Sequence, residues 1–208
     1  MLVVTHRALN MIDTFHLRAD GSPGPAQPYT GTAPQPFGFD FSGSHVLVTN
    51  AGSVTTPPDL QDPSQFNGSA STYEVLDSGA LGATGTVATG GRAACWVAVT
   101  KDNRYAFVTN TLSETVPDAG TGKRAIARFS IAPDGSLTLL GLTDTGRGFP
   151  SEVALSPDDR FLYVIDPTVM GDDTSHIDVY RVGGDGSLAH IQATAEDLPR
   201  GISGAAAH

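Results

Sequence analysis

Residues 150–166 read Pro150-Ser-Glu-Val-Ala-Leu-Ser-Pro-Asp-Asp-Arg-Phe-Leu-Tyr-Val-Ile-Asp166. This pattern predicts a strand, a tight polar turn and a second strand. The same pattern occurs at residues 36–50 and 94–110. A repeat of this kind must be recognised before single elements are assigned, because it determines the whole fold. The chain is therefore predicted to be an array of similar units.

A second block follows each copy and consists of an aromatic-x-aliphatic triplet and an Asp-Gly-type turn. The triplets are Phe15-His-Leu17, Tyr73-Glu-Val75, Phe129-Ser-Ile131 and Tyr180-Arg-Val182. The period is slightly longer than the about 40–50 residues of a propeller blade. Each repeat is therefore predicted to hold four strands, called a to d in chain order.

The second strand of the unit is apolar without alternation, as in Phe161-Leu-Tyr-Val-Ile165, which is typical of a strand covered on both faces. A lone four-stranded blade cannot cover both faces, so the blades must stack. We predict one all-β domain over residues 1–208, a β-propeller with four four-stranded blades. The predicted blades are 1–34 (completed by 198–208), 35–91, 92–147 and 148–197.

The two ends of the chain leave the size of the ring open. Residues 198–207 match the start of a strand a, whereas the first copy lacks strand a. The C-terminal segment would then complete the first blade and close a ring. Either the four blades close on one another, or three further blades of a seven-bladed ring precede them. The strand patterns and the position of Met1 inside a strand favour the second arrangement.

Composition excludes several classes of function. The net charge is −10, which repels nucleic-acid phosphates and anionic lipid headgroups. We therefore expect no nucleic-acid partner and no membrane partner, while the oligomeric state stays open. No apolar run is long enough to span a bilayer, and no signal peptide is recognisable at the N-terminus, so a cytoplasmic location is expected, with an upstream segment left open. The single cysteine, Cys95, forms no internal disulfide.

The repeats resemble the lactonase family of seven-bladed β-propellers, which includes bacterial 6-phosphogluconolactonase and fungal carboxymuconate cyclase. The likeness lies in residues 156–164, in the turns Asp134-Gly-Ser-Leu137 and Asp185-Gly-Ser-Leu188, and in Leu198-Pro-Arg-Gly201. It covers essentially the whole chain and corresponds to the last four of seven blades.

The resemblance implies functional groups at a Pro-Arg-His triplet that starts strand a and at a Glu beyond strand b. This chain departs from that pattern, because the corresponding triplets are Pro36-Phe-Gly38, Ala94-Cys-Trp96 and Pro150-Ser-Glu152. Ala51, Thr111 and Pro167 stand at the Glu position, and only Pro199-Arg200 keeps part of the triplet.

Candidate site residues lie on the face that carries the long loops between strands b and c, where binding sites commonly occur. A lactone hydrolase needs a base for water and donors for the oxyanion. His6 and Glu152 are the predicted catalytic residues. The predicted substrate-binding residues are Arg92, Arg147, Arg200, Asn110 and Asp166.

Structural roles are the alternative for these residues. Asn110 and Asp166 would then bond the following turn, and the arginines would form a solvated rim or salt bridges between blades. Trp96 and Cys95 are expected in the core. No cofactor and no metal are expected, because His16, His176 and His190 lack metal-ligand spacing.

Three hypotheses of function stay open. The first is a hydrolase or isomerase of a small anionic lactone or sugar-derived compound. The second is a non-catalytic propeller that binds a ligand or a protein. The third is a fragment of a longer lactonase-like protein without activity of its own.

Overall fold

The computed structural model describes residues 1–52, 67–112, 125–145, 149–167, 174–199 and 201–207, with the backbone alone for 112 and 192–197. Apart from a 3-10 turn at Arg7–Leu9, the regular structure of this part of the chain is all β. The strands are β1 (Leu2–His6), β2 (Met11–Leu17), β3 (Pro23–Thr30), β4 (Pro36–Ser42), β5 (His45–Asn50), β6 (Asn67–Val75), β7 (Leu81–Val99), β8 (Tyr105–Leu112), β9 (Ala125–Ile131), β10 (Leu137–Asp144), β11 (Glu152–Leu155), β12 (Phe161–Asp166), β13 (Ser175–Val182) and β14 (Leu188–Leu198).

The strands form three antiparallel sheets, β1–β3, β4–β10 and β11–β14, and the seven-stranded sheet divides within β7, which gives four blades. Blade 1 is β1–β3, blade 2 is β4–β6 with the first part of β7, blade 3 is the second part of β7 with β8–β10, and blade 4 is β11–β14. Strand β7 is the outer strand of blade 2 and continues as the inner strand of blade 3. Arg92 lies at this junction and pairs with both Asn67 and Leu112. The predicted all-β propeller fold is confirmed.

Each interface between successive blades holds a hydrophobic cluster, because alternate residues of a strand point to opposite faces of its blade. In β8, Val108 faces blade 2 and Phe107 faces blade 4, and both are fully buried. A third cluster, around Ile12, joins blade 1 to blade 2. Among the described residues no such cluster joins blade 4 to blade 1.

The Asp-Gly turns between strands c and d dock on the preceding blade. A Cβ added to Gly135 would lie 2.3 Å from the His45 ring, and one added to Gly186 would lie 2.6 Å from the Tyr105 ring. Both glycines also have φ near +80° and +74°. Positive φ and close approach together require glycine there, which explains why the motif recurs.

A threonine hydroxyl ties each of the first three blades to the next. Thr5 Oγ1 donates to the carbonyl of Phe37 at 2.7 Å, Thr49 Oγ1 to that of Cys95 at 2.6 Å, and Thr109 Oγ1 to that of Ser151 at 2.9 Å. The three threonines occupy equivalent positions, one residue before the end of the aligned part of strand b. Blade 4 has Ile165 at this position.

The C-terminal segment leaves blade 4 without forming a strand. Residues 204–207 line a cavity together with Ala154, Tyr163 and Ile177, on the side of blade 4 that faces away from blade 3. The first sheet accordingly contains three described strands rather than four. The completion of blade 1 by residues 198–208 therefore stays a prediction.

Candidate active site

The inner strands β4, β7 and β11 line a cavity of about 570 Å³. Its walls include Asp40, Trp96 and Val153, and Ala206 and Ala207 of the C-terminal segment enter it. This cavity is the described part of the central channel. We call the end at which the inner strands begin, next to the end of β1, the channel mouth.

A cation and two aromatic rings from three blades stack at the channel mouth. The Arg7 guanidinium carbon lies 5.2 Å from the centroid of the Phe37 ring, and Arg7 Nε donates to Gln35 Oε1 at 3.1 Å. The Phe37 ring meets the Trp96 ring edge to face, with centroids 5.8 Å apart. Arg7 and Trp96 are both exposed, so they offer solvent a positive charge beside an apolar ring surface.

The backbone before the inner strands of blades 2 and 3 is strained. Gln35 has φ 57° and Ala93 has φ 50°, a left-handed conformation that costs a non-glycine residue about 1–3 kcal/mol. The Gln35 carbonyl accepts a hydrogen bond from Ala51 N at 2.9 Å. The two positions are equivalent in the repeat, so the contacts at the channel mouth hold the backbone in the same left-handed conformation in both blades.

Glu152 contributes a carboxylate to the channel mouth from blade 4. It is the first residue of β11 and is partly exposed. Its Oε2 accepts a hydrogen bond from the backbone N–H of Gly204 in the C-terminal segment. A carboxylate that is fixed through one oxygen and open to solvent has the chemistry required of a general base.

The Thr109 hydroxyl holds the start of β11 beside the aromatic rings, because it accepts a hydrogen bond from Trp96 N at 3.0 Å and donates one to the Ser151 carbonyl at 2.9 Å. Burial raises the pKa of the nearby Cys95 thiol. The raised pKa keeps the thiol protonated near neutral pH, so Cys95 is not an activated nucleophile.

His6 occupies a different surface. Its Nε2 lies 2.8 Å from Asp13 Oδ2, on the face of blade 1 that points away from blade 2, because the adjacent Thr5 points toward blade 2. The described contacts do not join His6 to Glu152. The structure therefore does not bring the two predicted catalytic residues together.

Asn110 and Asp166 lie in the predicted equivalent positions but are buried. Asn110 Oδ1 accepts a hydrogen bond from Thr89 Oγ1 at 2.7 Å. Asp166 Oδ1 accepts one from Phe149 N. Both partners lie earlier in the chain and not in the turn that follows the strand, which was the alternative interpretation; the substrate-binding role of both residues stays a prediction.

The structure describes one of the three predicted arginines, Arg92. Arg92 is buried, and its Nη1 has no hydrogen-bond partner in the described part of the chain. A buried donor without an acceptor is costly, so an anion beside this nitrogen would be stabilising. Arg147 and Arg200 lie outside the described residues.

Blade 4 also holds a network of two histidines and two aspartates, of which His190 is exposed and the other three are buried. His176 Nε2 lies 3.4 Å from Asp166 Oδ2 and 3.7 Å from Asp178 Oδ2, and His190 Nε2 lies 3.2 Å from Asp178 Oδ1. This network was not predicted from the sequence. Within the described ranges, no three His, Cys, Asp or Glu side chains are placed to hold a metal ion.

Sequence reasoning missed Arg7, Phe37 and Trp96. Trp96 was expected in the core but is 37% exposed. Adjacent residues of a strand face opposite sides, and Val97 is buried. The apolar Val97 was therefore the signal that Trp96 faces the other side of the strand. Arg7 directly follows β1, but only the arrangement of three blades places it over Phe37.

Comparison with known proteins identifies the fold. The family model described as lactonase, 7-bladed beta-propeller, matches residues 89–203. No curated protein sequence matches the chain.

Three solved structures illustrate the likeness. The periplasmic gluconolactonase PpgL of Pseudomonas aeruginosa is 18% identical with a TM-score of 0.62, over 97% of this chain and 69% of that one. A Lactobacillus plantarum protein is 17% identical with a TM-score of 0.53, over 95% and 68%. The hydrazine synthase of Kuenenia stuttgartiensis is 16% identical with a TM-score of 0.57, over 95% and 48%. At these identities the likeness shows the fold alone.

Location and partners are less constrained than the fold. The described part of the chain holds no helix that is long and apolar enough to cross a membrane. PpgL is described as periplasmic. The cytoplasmic location and the absence of nucleic-acid and membrane partners stay predictions.

Proposed function

Since the chain belongs to the lactonase family of seven-bladed β-propellers, we propose that it hydrolyses a small anionic lactone at the channel mouth. The observation that supports this proposal is that the Thr109 hydroxyl bonds both the backbone N–H of Trp96, whose ring packs on the Phe37–Arg7 stack, and the carbonyl of Ser151, the residue before Glu152. One structural neighbour, PpgL, is named a gluconolactonase, which agrees with this class of reaction.

Glu152 is the general base of the proposed reaction. Gly204 N–H holds one carboxylate oxygen, and the other accepts a proton from a water molecule. The resulting hydroxide adds to the lactone carbonyl, the ring C–O bond breaks, and the proton held by Glu152 passes to the departing alkoxide. The product is the open hydroxy acid, and no electron transfer or cofactor is needed.

Arg7 and the two aromatic rings bind the substrate. The guanidinium pairs with a carboxylate or phosphate of the substrate and stabilises the negative charge that develops on the carbonyl oxygen. The exposed ring of Trp96 packs on the apolar face of the lactone. Arg92 is a second proposed anion-binding residue, on the basis of its unpartnered Nη1.

Acid release in a pH-stat tests the proposal over a panel of lactones with and without an anionic group. Hydrolysis should be faster for the anionic members. In Arg7→Ala, KM for an anionic lactone should rise by about 10-fold or more, since charge-assisted hydrogen bonds contribute about 1.5–3 kcal/mol. The control Arg181→Ala removes an exposed arginine of blade 4 and should leave KM unchanged. Absence of turnover on every lactone by folded protein would refute the proposal.

A non-catalytic binding module is the second candidate function. The departures from the family triplets at Pro36-Phe-Gly38, Ala94-Cys-Trp96 and Pro150-Ser-Glu152 favour it. Calorimetry separates the two candidates, because a binding module would hold an intact lactone without turnover and would lose that binding in Arg7→Ala.

A further inference from the structure

The side chain of Gln35 contacts the cation of the channel mouth. Arg7 Nε donates a hydrogen bond to Gln35 Oε1 at 3.1 Å, and the Arg7 guanidinium carbon lies 5.2 Å from the centroid of the Phe37 ring. Two residues before Arg7, the Thr5 hydroxyl donates to the Phe37 carbonyl at 2.7 Å. Three contacts therefore hold Arg7 between blades 1 and 2, which are consecutive in the chain.

The backbone of Gln35 is left-handed against the preference of its residue type. Of the five non-glycine residues with positive φ in the described part of the chain, three are Asn or Asp, the types that adopt this conformation most readily: Asn10, Asn103 and Asp159. Gln35, with φ 57°, and Ala93, with φ 50°, are the other two. Glycine would adopt the same conformation without strain. Backbone shape alone therefore does not explain a glutamine at this position.

Ala93 shows which part of Gln35 is particular to blade 2. The two residues are equivalent in the repeat, so the left-handed backbone is common to the starts of the inner strands of blades 2 and 3. Only Gln35 adds a side-chain amide, and its oxygen is the one that bonds Arg7. The Gln35 carbonyl is itself fixed, since it accepts a hydrogen bond from Ala51 N at 2.9 Å. A rigid and strained position thus carries the amide that holds Arg7.

The partner of Arg7 is a neutral amide and not a carboxylate. Among the described residues no Asp or Glu oxygen lies within ion-pair distance of Arg7. An amide oxygen fixes Nε without neutralising the positive charge. Arg7 is exposed, and its Nη1 and Nη2 have no hydrogen-bond partner in the described part of the chain. These two nitrogens form the end of a planar fork that matches two oxygens of a carboxylate or phosphate.

We propose that Gln35 is the positioning residue of the channel mouth: it holds Arg7 by Nε, so that Nη1 and Nη2 bind two oxygens of an oxyanion. This role rests on the proposed function for the location of the ligand, but it does not require turnover. The strain at Gln35 is then stability that the chain gives up for the geometry of the anion site.

Calorimetric titration of the full chain with inorganic phosphate at low ionic strength tests this role. Gln35→Met keeps the length of the side chain but removes the acceptor, so Kd should rise by about 3–10-fold, the effect of one hydrogen bond. Gln27→Met is the matched control, because Gln27 Oε1 also accepts a hydrogen bond at 3.1 Å, from the Tyr29 hydroxyl of blade 1. Its Kd should equal that of the wild type. A wild type that binds no phosphate, or an unchanged Kd in Gln35→Met, overturns the proposal.

Gln35→Glu distinguishes positioning from a purely structural link between blades 1 and 2. Glutamate keeps an acceptor for Arg7 Nε, so the thermal unfolding midpoint should not fall. The added negative charge neutralises the guanidinium, so phosphate should bind more weakly than to Gln35→Met, and the difference should shrink at high salt. A purely structural link predicts wild-type binding in Gln35→Glu, and that result contradicts the proposal.

Gln35→Ala and Gln35→Gly separate binding from stability. Both substitutions remove the amide, so both should raise Kd for phosphate by the factor seen in Gln35→Met. Glycine adopts φ 57° without strain, so the unfolding midpoint of Gln35→Gly should lie above that of Gln35→Ala. Equal Kd values with different midpoints support the positioning role, whereas a Kd that follows the midpoint from variant to variant overturns it.

The lactone assay separates this role from the proposed function. If phosphate binding weakens in Gln35→Met but the wild type hydrolyses no lactone, the proposed hydrolysis fails and the positioning role of Gln35 stands. If the wild type hydrolyses a lactone but phosphate binding is the same in both proteins, the positioning role fails and the hydrolysis stands.

Discussion

The hydroxyl of Thr109 donates a hydrogen bond of 2.9 Å to the carbonyl of Ser151, the residue directly before Glu152. The same hydroxyl accepts a hydrogen bond from the backbone N–H of Trp96 at 3.0 Å. One threonine of blade 3 thus links the backbones that carry the aromatic surface and the proposed base. Thr109 therefore contributes both to the contact between blades 3 and 4 and to the position of the proposed site residues.

Thr109→Val should destabilise the protein and loosen the site. Valine keeps the shape but leaves buried polar groups without a partner, which costs about 1–3 kcal/mol. Chemical denaturation should therefore show a lower free energy of unfolding by that amount. Thr138→Val, at an exposed position of β10, should change it by less than about 0.5 kcal/mol. Equal effects of the two substitutions would contradict the linking role.

Gly186→Ala should destabilise the fold more than Gly79→Ala. Both glycines have φ between +74° and +79°, so the backbone strain of alanine is the same. A Cβ at Gly186 would fall 2.6 Å from the Tyr105 ring, whereas at Gly79 the nearest atom is 4.0 Å away. The difference in free energy of unfolding should be about 1–3 kcal/mol, the cost of overpacking. A zero difference would show that the turn does not need the ring contact.

Asp40 should make stability depend on pH. Burial raises the pKa of this carboxyl, and the hydrogen bonds from Val99 N and Phe41 N oppose the rise. A pKa that is higher in the folded protein means that folding favours the protonated form. Wild type should therefore lose stability relative to Asp40→Asn as pH rises from the unfolded-state pKa of 3.8 through the folded-state pKa. Denaturation of both proteins at pH 3 and pH 7 measures this, and a constant difference would contradict the prediction.

Trp96 should report ligand binding at the channel mouth. It is the one tryptophan of the chain, and at 37% exposure its fluorescence should be quenched by acrylamide. A bound hydroxy acid product or lactone should protect it from the quencher. The ligand should protect Trp96 less in Arg7→Ala than in the wild-type protein. Equal protection in the two proteins would show that Arg7 does not bind the ligand beside Trp96.

The repeat was sufficient to predict the fold, because its signals are local. Alternating burial and Asp-Gly turns need only a few residues of context, and the strands around Phe129 and Tyr180 lie where the repeat placed them. A boundary between the outer strand of blade 2 and the inner strand of blade 3 was predicted between residues 91 and 92, but the continuity of the strand across it was not. Strand β7 runs through it without interruption, with Ala93 in the left-handed conformation.

The site was harder to predict, because it depends on which blade each side chain faces. Glu152 was predicted from its position at the start of strand a, and the structure places it at the channel mouth. His6 was predicted from an equivalent position on strand b; it pairs with Asp13 on the face of blade 1 that points away from blade 2, and its catalytic role stays a prediction. The stacking of Arg7 on Phe37 joins blades 1 and 2 and has no signature in either repeat.

The decisive measurement is the initial rate at which Glu152→Gln releases acid from an anionic lactone, because it tests whether Glu152 is the general base. Glutamine keeps the size and the hydrogen bond from Gly204 but cannot take a proton from water, so kcat should fall by about 10²–10⁴-fold. The exposed Glu74→Gln of β6 should retain the wild-type kcat. A Glu152→Gln protein that hydrolyses the lactone at the wild-type rate would contradict the account.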